Sequence, residues 1–321
     1  MKKRWWALAL CAALLLMLCG AAEADYTYGD WLFIANDNGG VTITKCAWDS
    51  YSDQDVTIPG TLGGKEVTAI GEKVFESSEI TGVTIPASVT EIGEKAFNYC
   101  PKMKTVTFES GSKLDRIGAE AFSNSGILSI SIPASVTCIG EKAFYNCSLA
   151  AVTFPEGSKL DSIGAYTFYY CNISSITIPA SVTGIGNNAF DSCYHLSTLS
   201  FEVGSKLTRI GTEAFSDDPG IKSITIPASV TDIGNNAFDG CDLSNVTIQS
   251  PVITIGDWAF KDSLKLNSKT IRQNQVAGAH GKTSLTVNWN GEATVNVMED
   301  SGYVLNKLSY TPDNGSETVI E

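Results

Sequence analysis

The sequence predicts a repeat solenoid built of short strands, and two observations predict it. The motif Ile-Gly-x-x-(Ala/Val/Thr)-Phe occurs nine times, its Ile-Gly pairs beginning at Ile70, Ile92, Ile117, Ile139, Ile163, Ile185, Ile210, Ile233 and Ile255. Successive pairs are separated by 22, 25, 22, 24, 22, 25, 23 and 22 residues. A self-similar period of this size marks stacked turns, because one such unit cannot bury its own apolar face.

A longer rhythm lies on top of the short one. One type of repeat carries Ile-Pro-Ala-Ser-Val-Thr, at Ile85, Ile132, Ile178 and Ile226, and the other carries Gly-Ser-Lys-Leu, at Gly111, Gly157 and Gly204. The two alternate, so the duplicated unit spans two turns. The period falls within the roughly 20–29 residues of leucine-rich repeats.

The chain opens with Lys2, Lys3 and Arg4, an apolar run from Trp5 to Leu18, and Ala22-Glu23-Ala24 before Asp25. This is the form of a secretory signal peptide over residues 1–24, which implies a secreted or cell-surface protein. Leu18 stands before Cys19 where a lipidation site needs a small residue. No later apolar stretch is long enough to span a membrane once the signal is cleaved.

Residues 25–55 lack the full repeat and read as an N-terminal β cap. Trp31 to Ile34, Val41 to Lys45 and Val56 to Ile58 look like strands, with Asn38-Gly39-Gly40 as a hairpin turn. A solenoid needs such a shield because its open end is an apolar face and a free strand edge.

The solenoid itself is expected over residues 56–266, as about nine repeats of 22–25 residues. In Ser223-Ile224-Thr225-Ile226-Pro227, apolar and hydroxylated residues alternate as in a half-buried strand. Pro227 lacks an N–H and ends the ladder. Val230 and Ile233 return to the core. Gly234 permits a corner that a Cβ would resist, and Asn235 to Phe238 are expected to form a short helical turn.

The nine motifs, with Cys three residues after Phe at Cys100, Cys147, Cys171, Cys193 and Cys241, resemble the BspA-like leucine-rich-repeat family of bacterial and protist surface proteins. The resemblance runs from about Val56 to Leu266. It implies adhesion, since members of that family are associated with binding extracellular matrix proteins and other cells. A structural or spacer module without a host ligand is the alternative.

Residues 267–321 read as a small β-rich C-terminal cap or module, with strands expected over Thr283 to Trp289, Ala293 to Met298 and Tyr303 to Tyr310.

Little in the chain points to catalysis or to a cofactor. Neither His195 nor His280 is joined by a motif to a nucleophile, and no nucleophile elbow, phosphate loop or zinc-binding helix is present. The shared repeat position of the five cysteines predicts buried thiols. Secretion leaves disulfides open for Cys147, Cys171 and Cys193, which lie in successive turns. No Cys-x-x-Cys pair exists to hold a metal. The formal charge of −13 repels phosphate backbones and argues against nucleic acid.

The candidate ligand face is the outward side of the longer strands. Its positions are Thr105, Thr107, Ser129, Ser131, Thr153, Ser175, Thr177, Thr198, Ser200, Ser223, Thr225 and Thr247, with Ala151 and Asn245 interrupting the ranks. Stacking predicts a flat field of small hydroxyls, suited to protein or glycan ligands, extracellular matrix proteins among them. Thr also simply favours strands.

Overall fold

The computed structural model describes residues 25–46, 53–250 and 253–261, together with the strands Arg272–Gln273, Leu308–Tyr310 and Thr318–Ile320. The expected signal peptide, the expected strands over 283–298 and His280 lie outside the described residues. The chain divides into two compact units after Cys171.

The first unit begins with a hairpin-built cap. Tyr26–Tyr28, Trp31–Ala35 and Val41–Cys46 pair antiparallel in turn. Val41–Cys46 then pairs parallel with Lys65–Ile70, so the cap continues directly into the stack. Trp31 meets Phe75 edge-on at 6.2 Å, closing the end of the core. Asp55–Thr57 belongs with the repeats, because it pairs parallel with Gly82–Ile85.

Each turn contributes to three parallel ladders. The Ile-Gly strands form the most regular one. In the first unit it runs through Lys65–Ile70, Glu91–Ile92, Arg116–Ile117, Cys138–Ile139 and Ser162–Ile163. In the second it runs through Gly184–Ile185, Arg209–Ile210, Asp232–Ile233 and Thr254–Ile255. Isoleucine faces inward at nearly every rung, and Ile70, Ile92, Ile117, Ile210 and Ile233 are buried. The glycine that follows is required by proximity. A Cβ on Gly93 would lie 2.7 Å from the carbonyl carbon of Gly71, and one on Gly140 2.6 Å from the nitrogen of Ala119. Each turn rests on the backbone of the one before.

The segment around Phe forms the second ladder and corrects the expected helical turn. No described residue is helical. Asn236 has a positive φ of 53°, which no right-handed helix admits, and Lys95, Glu120, Lys142 and Tyr166 share that conformation. Alternate N–H groups also point along the stack. Lys95, Phe97 and Tyr99 donate to the carbonyls of Ala119, Ala121 and Ser123 in the next turn, at 2.7–2.9 Å. Donors spent on a neighbouring turn cannot close a helix within their own.

Inside this ladder the phenyl rings stack face to face. In the first unit Phe75, Phe97, Phe122, Phe144 and Phe168 are spaced 4.9–5.4 Å apart with interplanar angles of 1–6°. In the second, Phe190, Phe215, Phe238 and Phe260 repeat the arrangement at 5.1–5.3 Å. Parallel rings a strand spacing apart follow from in-register stacking, and each pair adds about 0.5–1.5 kcal/mol beyond burial.

The longer strands form the third ladder. Towards the C-terminus, Arg272–Gln273 pairs parallel with Thr247–Ile248. Leu308–Tyr310 pairs antiparallel with Thr318–Ile320 inside the expected β-rich region.

Candidate functional site

The outward positions of the longer strands are set by the strand period. In Ser175–Ile178 and Ser223–Ile226 the hydroxyl residues are exposed and the isoleucines buried. The same alternation exposes Thr105, Thr107, Ser129, Ser131, Thr153 and Thr198, while Ser200 and Thr247 are half-buried. In-register pairing sets these residues side by side, Ser129 beside Ala151 and Ser131 beside Thr153. Thr177 and Ser200, paired across their ladder, join hydroxyls at 2.8 Å.

The field is not one continuous sheet. In the first unit Asp55–Thr57, Gly82–Ile85 and Thr105–Phe108 pair with one another, and Ser129–Ser131 pairs only with Ala151–Thr153. In the second unit Ser175–Ile178 pairs with Thr198–Phe201, and a separate ladder joins Ser223–Ile226, Asn245–Ile248 and Arg272–Gln273. Both breaks follow a repeat of the Gly-Ser-Lys-Leu type. There the strand runs on into a loop through Gly111 or Gly204, each with positive φ. The carboxylates of Glu109 and Glu202 tie these loops back, accepting the N–H of Ala87 at 3.1 Å and of Ala180 at 2.8 Å. The extra residues swell the turn, and the next strand cannot close against it.

A groove opens at each break. One, of about 580 Å³, lies between Thr198–Phe201 and Ser223–Ile226 and is lined by Ser200, Glu202, Ser223, Thr225 and Asn245 among others. Val203, fully exposed, stands on its loop. The other, of about 510 Å³, lies between Thr105–Phe108 and Ser129–Ser131, lined by Thr107, Glu109, Ser112 and Ser131. Both mix hydroxyls, one carboxylate and an apolar floor.

The cysteines lie inside. Cys100, Cys147, Cys171, Cys193 and Cys241 are buried, and Cys100, Cys147 and Cys241 are thiols rather than disulfide halves. Cys147 Sγ donates to the carbonyl of Phe122 at 3.0 Å, and Cys241 Sγ to that of Phe215 at 3.1 Å. Asp218 occupies the same repeat position. It is wholly buried, and burial holds its pKa well above the ordinary carboxylate range against the opposing pull of the Cys193 backbone. This exception is visible in the repeat register, where Asp218 stands three residues after Phe215, yet it belongs to no motif. His195 is exposed on a turn. Among the described residues no group of His, Cys, Asp and Glu could hold a metal ion.

A second feature escaped the sequence analysis. Tyr99, Tyr145, Tyr166 and Tyr169 line a cleft of about 490 Å³ in the first unit. The signal was available: Tyr145 and Tyr169 both follow the motif Phe directly, so stacking brings them together.

Comparison with known proteins agrees with this geometry. The sequence model of a family described as "BspA type Leucine rich repeat region" matches in six copies, over residues 37–149, 115–241 and 208–277. The crystal structure of the pneumococcal vaccine antigen PcpA is similar in fold, at 24% identity and a TM-score of 0.60, over 76% of this chain and 69% of that one. A leucine-rich repeat protein from Bacteroides ovatus is similar at 28% identity and a TM-score of 0.54, over 75% of this chain and 69% of its own. No curated protein matches the chain.

Proposed function

The chain belongs to the BspA-type leucine-rich-repeat family, and from that premise we propose that it is a secreted or cell-surface interaction protein of the adhesin kind, holding protein or glycan ligands against its strand face. The observation that carries this reading is the pair of grooves at the ladder breaks. Each presents exposed hydroxyls that donate and accept hydrogen bonds, beside an apolar floor. Such mixed, open surfaces on a rigid repeat suit broad ligands better than small enclosed ones.

The test is a solid-phase assay of the full chain against fibronectin, fibrinogen, collagen and a glycan panel. Saturable binding is expected, weakened by Ser223→Lys with Thr225→Lys in the larger groove. A folded protein that binds none of them would instead be a spacer within a surface assembly.

A further inference from the structure

The tyrosines of the first unit do something the fold does not ask of them. The two positions after the motif Phe are filled elsewhere by Glu76 and Ser77, Ser216 and Asp217, or Asp239 and Gly240. Small polar residues therefore satisfy the turn. The second of these positions has positive φ, which suits Asn124, Asn146 and Gly240. Tyr99 and Tyr170 hold it at φ 54° and 56°, a conformation that disfavours bulky side chains, and both rings stay more than half exposed. Strain carried by exposed aromatics points to function rather than packing.

The rings form an interrupted stack. Tyr169 and Tyr145 lie parallel, 5.0 Å apart, in the fifth and fourth turns. The third turn carries Ser123, buried, at the equivalent place, so the stack of rings ends at Tyr145, which lines the cleft with Ser123 and Asn124. Tyr99 stands in the second turn. Two strand spacings, about 10 Å, separate it along the stack from Tyr145. Lys142 sits over Tyr166 at 5.3 Å, occupying that ring.

The walls around the gap both donate and accept. Asn146 donates to Asn124 at 2.9 Å, and Asn124, which lines the cleft with Glu120, donates to Ser123 at 2.9 Å. Glu120 lies within 3.5 Å of Lys95, so the carboxylate is balanced by a cation. Lys142, which also lines the cleft, is paired with Glu141 at 3.2 Å, so the site offers an anionic ligand no unpaired cation. A proline-rich strand could use the aromatic faces but has few donors to offer Glu120. A pyranose ring has both properties: C–H groups across one flat face that suit the negative face of a phenol, and hydroxyls at its edge that donate and accept.

We propose that the gap at Ser123 is a binding site for an uncharged oligosaccharide, one of whose pyranose rings continues the Tyr169–Tyr145 stack. The site is carried by the Phe turns and does not depend on the strand face acting as a ligand surface.

The full chain should be titrated calorimetrically with hexasaccharides of glucose, mannose, xylose and N-acetylglucosamine. At least one is expected to bind saturably. Tyr145→Ala should weaken it about tenfold, the measure of one lost aromatic stack. Ser123→Tyr should abolish it by filling the gap with the residue that the next turn already accommodates, and circular dichroism should show that fold intact. The strand-face variant Ser223→Lys, Thr225→Lys should bind the sugar normally, which separates this site from the one proposed above. Absence of binding to all four sugars would overturn the proposal. So would binding unaffected by Ser123→Tyr, or binding of decaproline in their place.

Discussion

The Sγ of Cys100 lies 3.1 Å from the carbonyl oxygen of Phe75, one turn earlier in the stack. The same thiol-to-carbonyl bond links Cys171 to Phe144 at 3.2 Å. A thiol at this place is small and apolar enough for the core, yet can still donate to a backbone carbonyl, here one that also accepts the N–H of Ser78 at 3.1 Å. Burial pushes the Cys100 pKa up to about 12 and that of Cys147 to about 11.

These thiols should therefore be chemically silent in the folded protein. A disulfide-exchange reagent at pH 8 should leave Cys100, Cys147 and Cys241 unmodified, with full reaction only in guanidinium. Peptide mapping by mass spectrometry reads the result. Rapid labelling of Cys100 in the native state would contradict the buried donor role.

Asp218 stands in this column in place of a thiol. Its folded pKa is raised, first by burial and then by the charges of Asp191 and Asp217. Below about pH 4 the carboxyl is neutral in both states and contributes no pH dependence. Above that, unfolding releases a proton, so stability falls as pH rises until the folded carboxyl itself ionises. Asp191, also raised by burial, adds to the same slope. Asp218→Cys should flatten the slope without abolishing it. At pH 7 it should stabilise the protein by about 1–3 kcal/mol, the cost of desolvating a buried polar group. Urea titrations at pH 4.5 and 7 measure both.

The glycine column should be far less tolerant than the loop glycines. Gly140→Ala would drive a Cβ into the Ala119 backbone at 2.6 Å, whereas Gly111 has nothing within 4 Å of its Cβ position. Gly111→Ala meets only the strain of its positive φ and should cost about 1 kcal/mol. Gly140→Ala should cost several times more or prevent folding, as judged by thermal melts of the two variants.

Phe122→Ala removes a ring stacked on both sides, at 5.2 Å from Phe97 and from Phe144. A destabilisation of about 3–5 kcal/mol is expected. Val203→Ala, at a fully exposed loop position, should stay within about 0.5 kcal/mol. Denaturant unfolding distinguishes them directly.

The turn count and the inward residues were legible because Ile-Gly and Phe recur at every repeat, and recurrence in a stack means adjacency. The conformation around Phe was not. Asn235 to Phe238 suit a helical turn locally, and only the next turn's carbonyls decide that alternate N–H groups point along the stack. The outward turn of Ser223 and Thr225 was legible from the alternation in Ser223–Ile226, whereas Ser200 and Thr247, at equivalent positions, are half-buried. Its interruption was hidden because the sequence does not say how far the loop at Gly204 pushes the following strand. Gly234 was identified as necessary, for a corner, when the reason is the backbone of the turn beneath it. The tyrosine stack could have been found by comparing equal offsets from Phe across repeats.

The ladder breaks also bear on how such a chain changes over generations. A break accompanies the Gly-Ser-Lys-Leu type of repeat, which alternates with the other. Duplicating one two-turn unit therefore adds a groove together with the spacing that separates it from its neighbour. Copy number becomes valency. Where each groove holds its ligand weakly, avidity climbs steeply with the number that engage at once. Unequal recombination between near-identical units could thus adjust attachment strength in whole steps, with no substitution inside any groove.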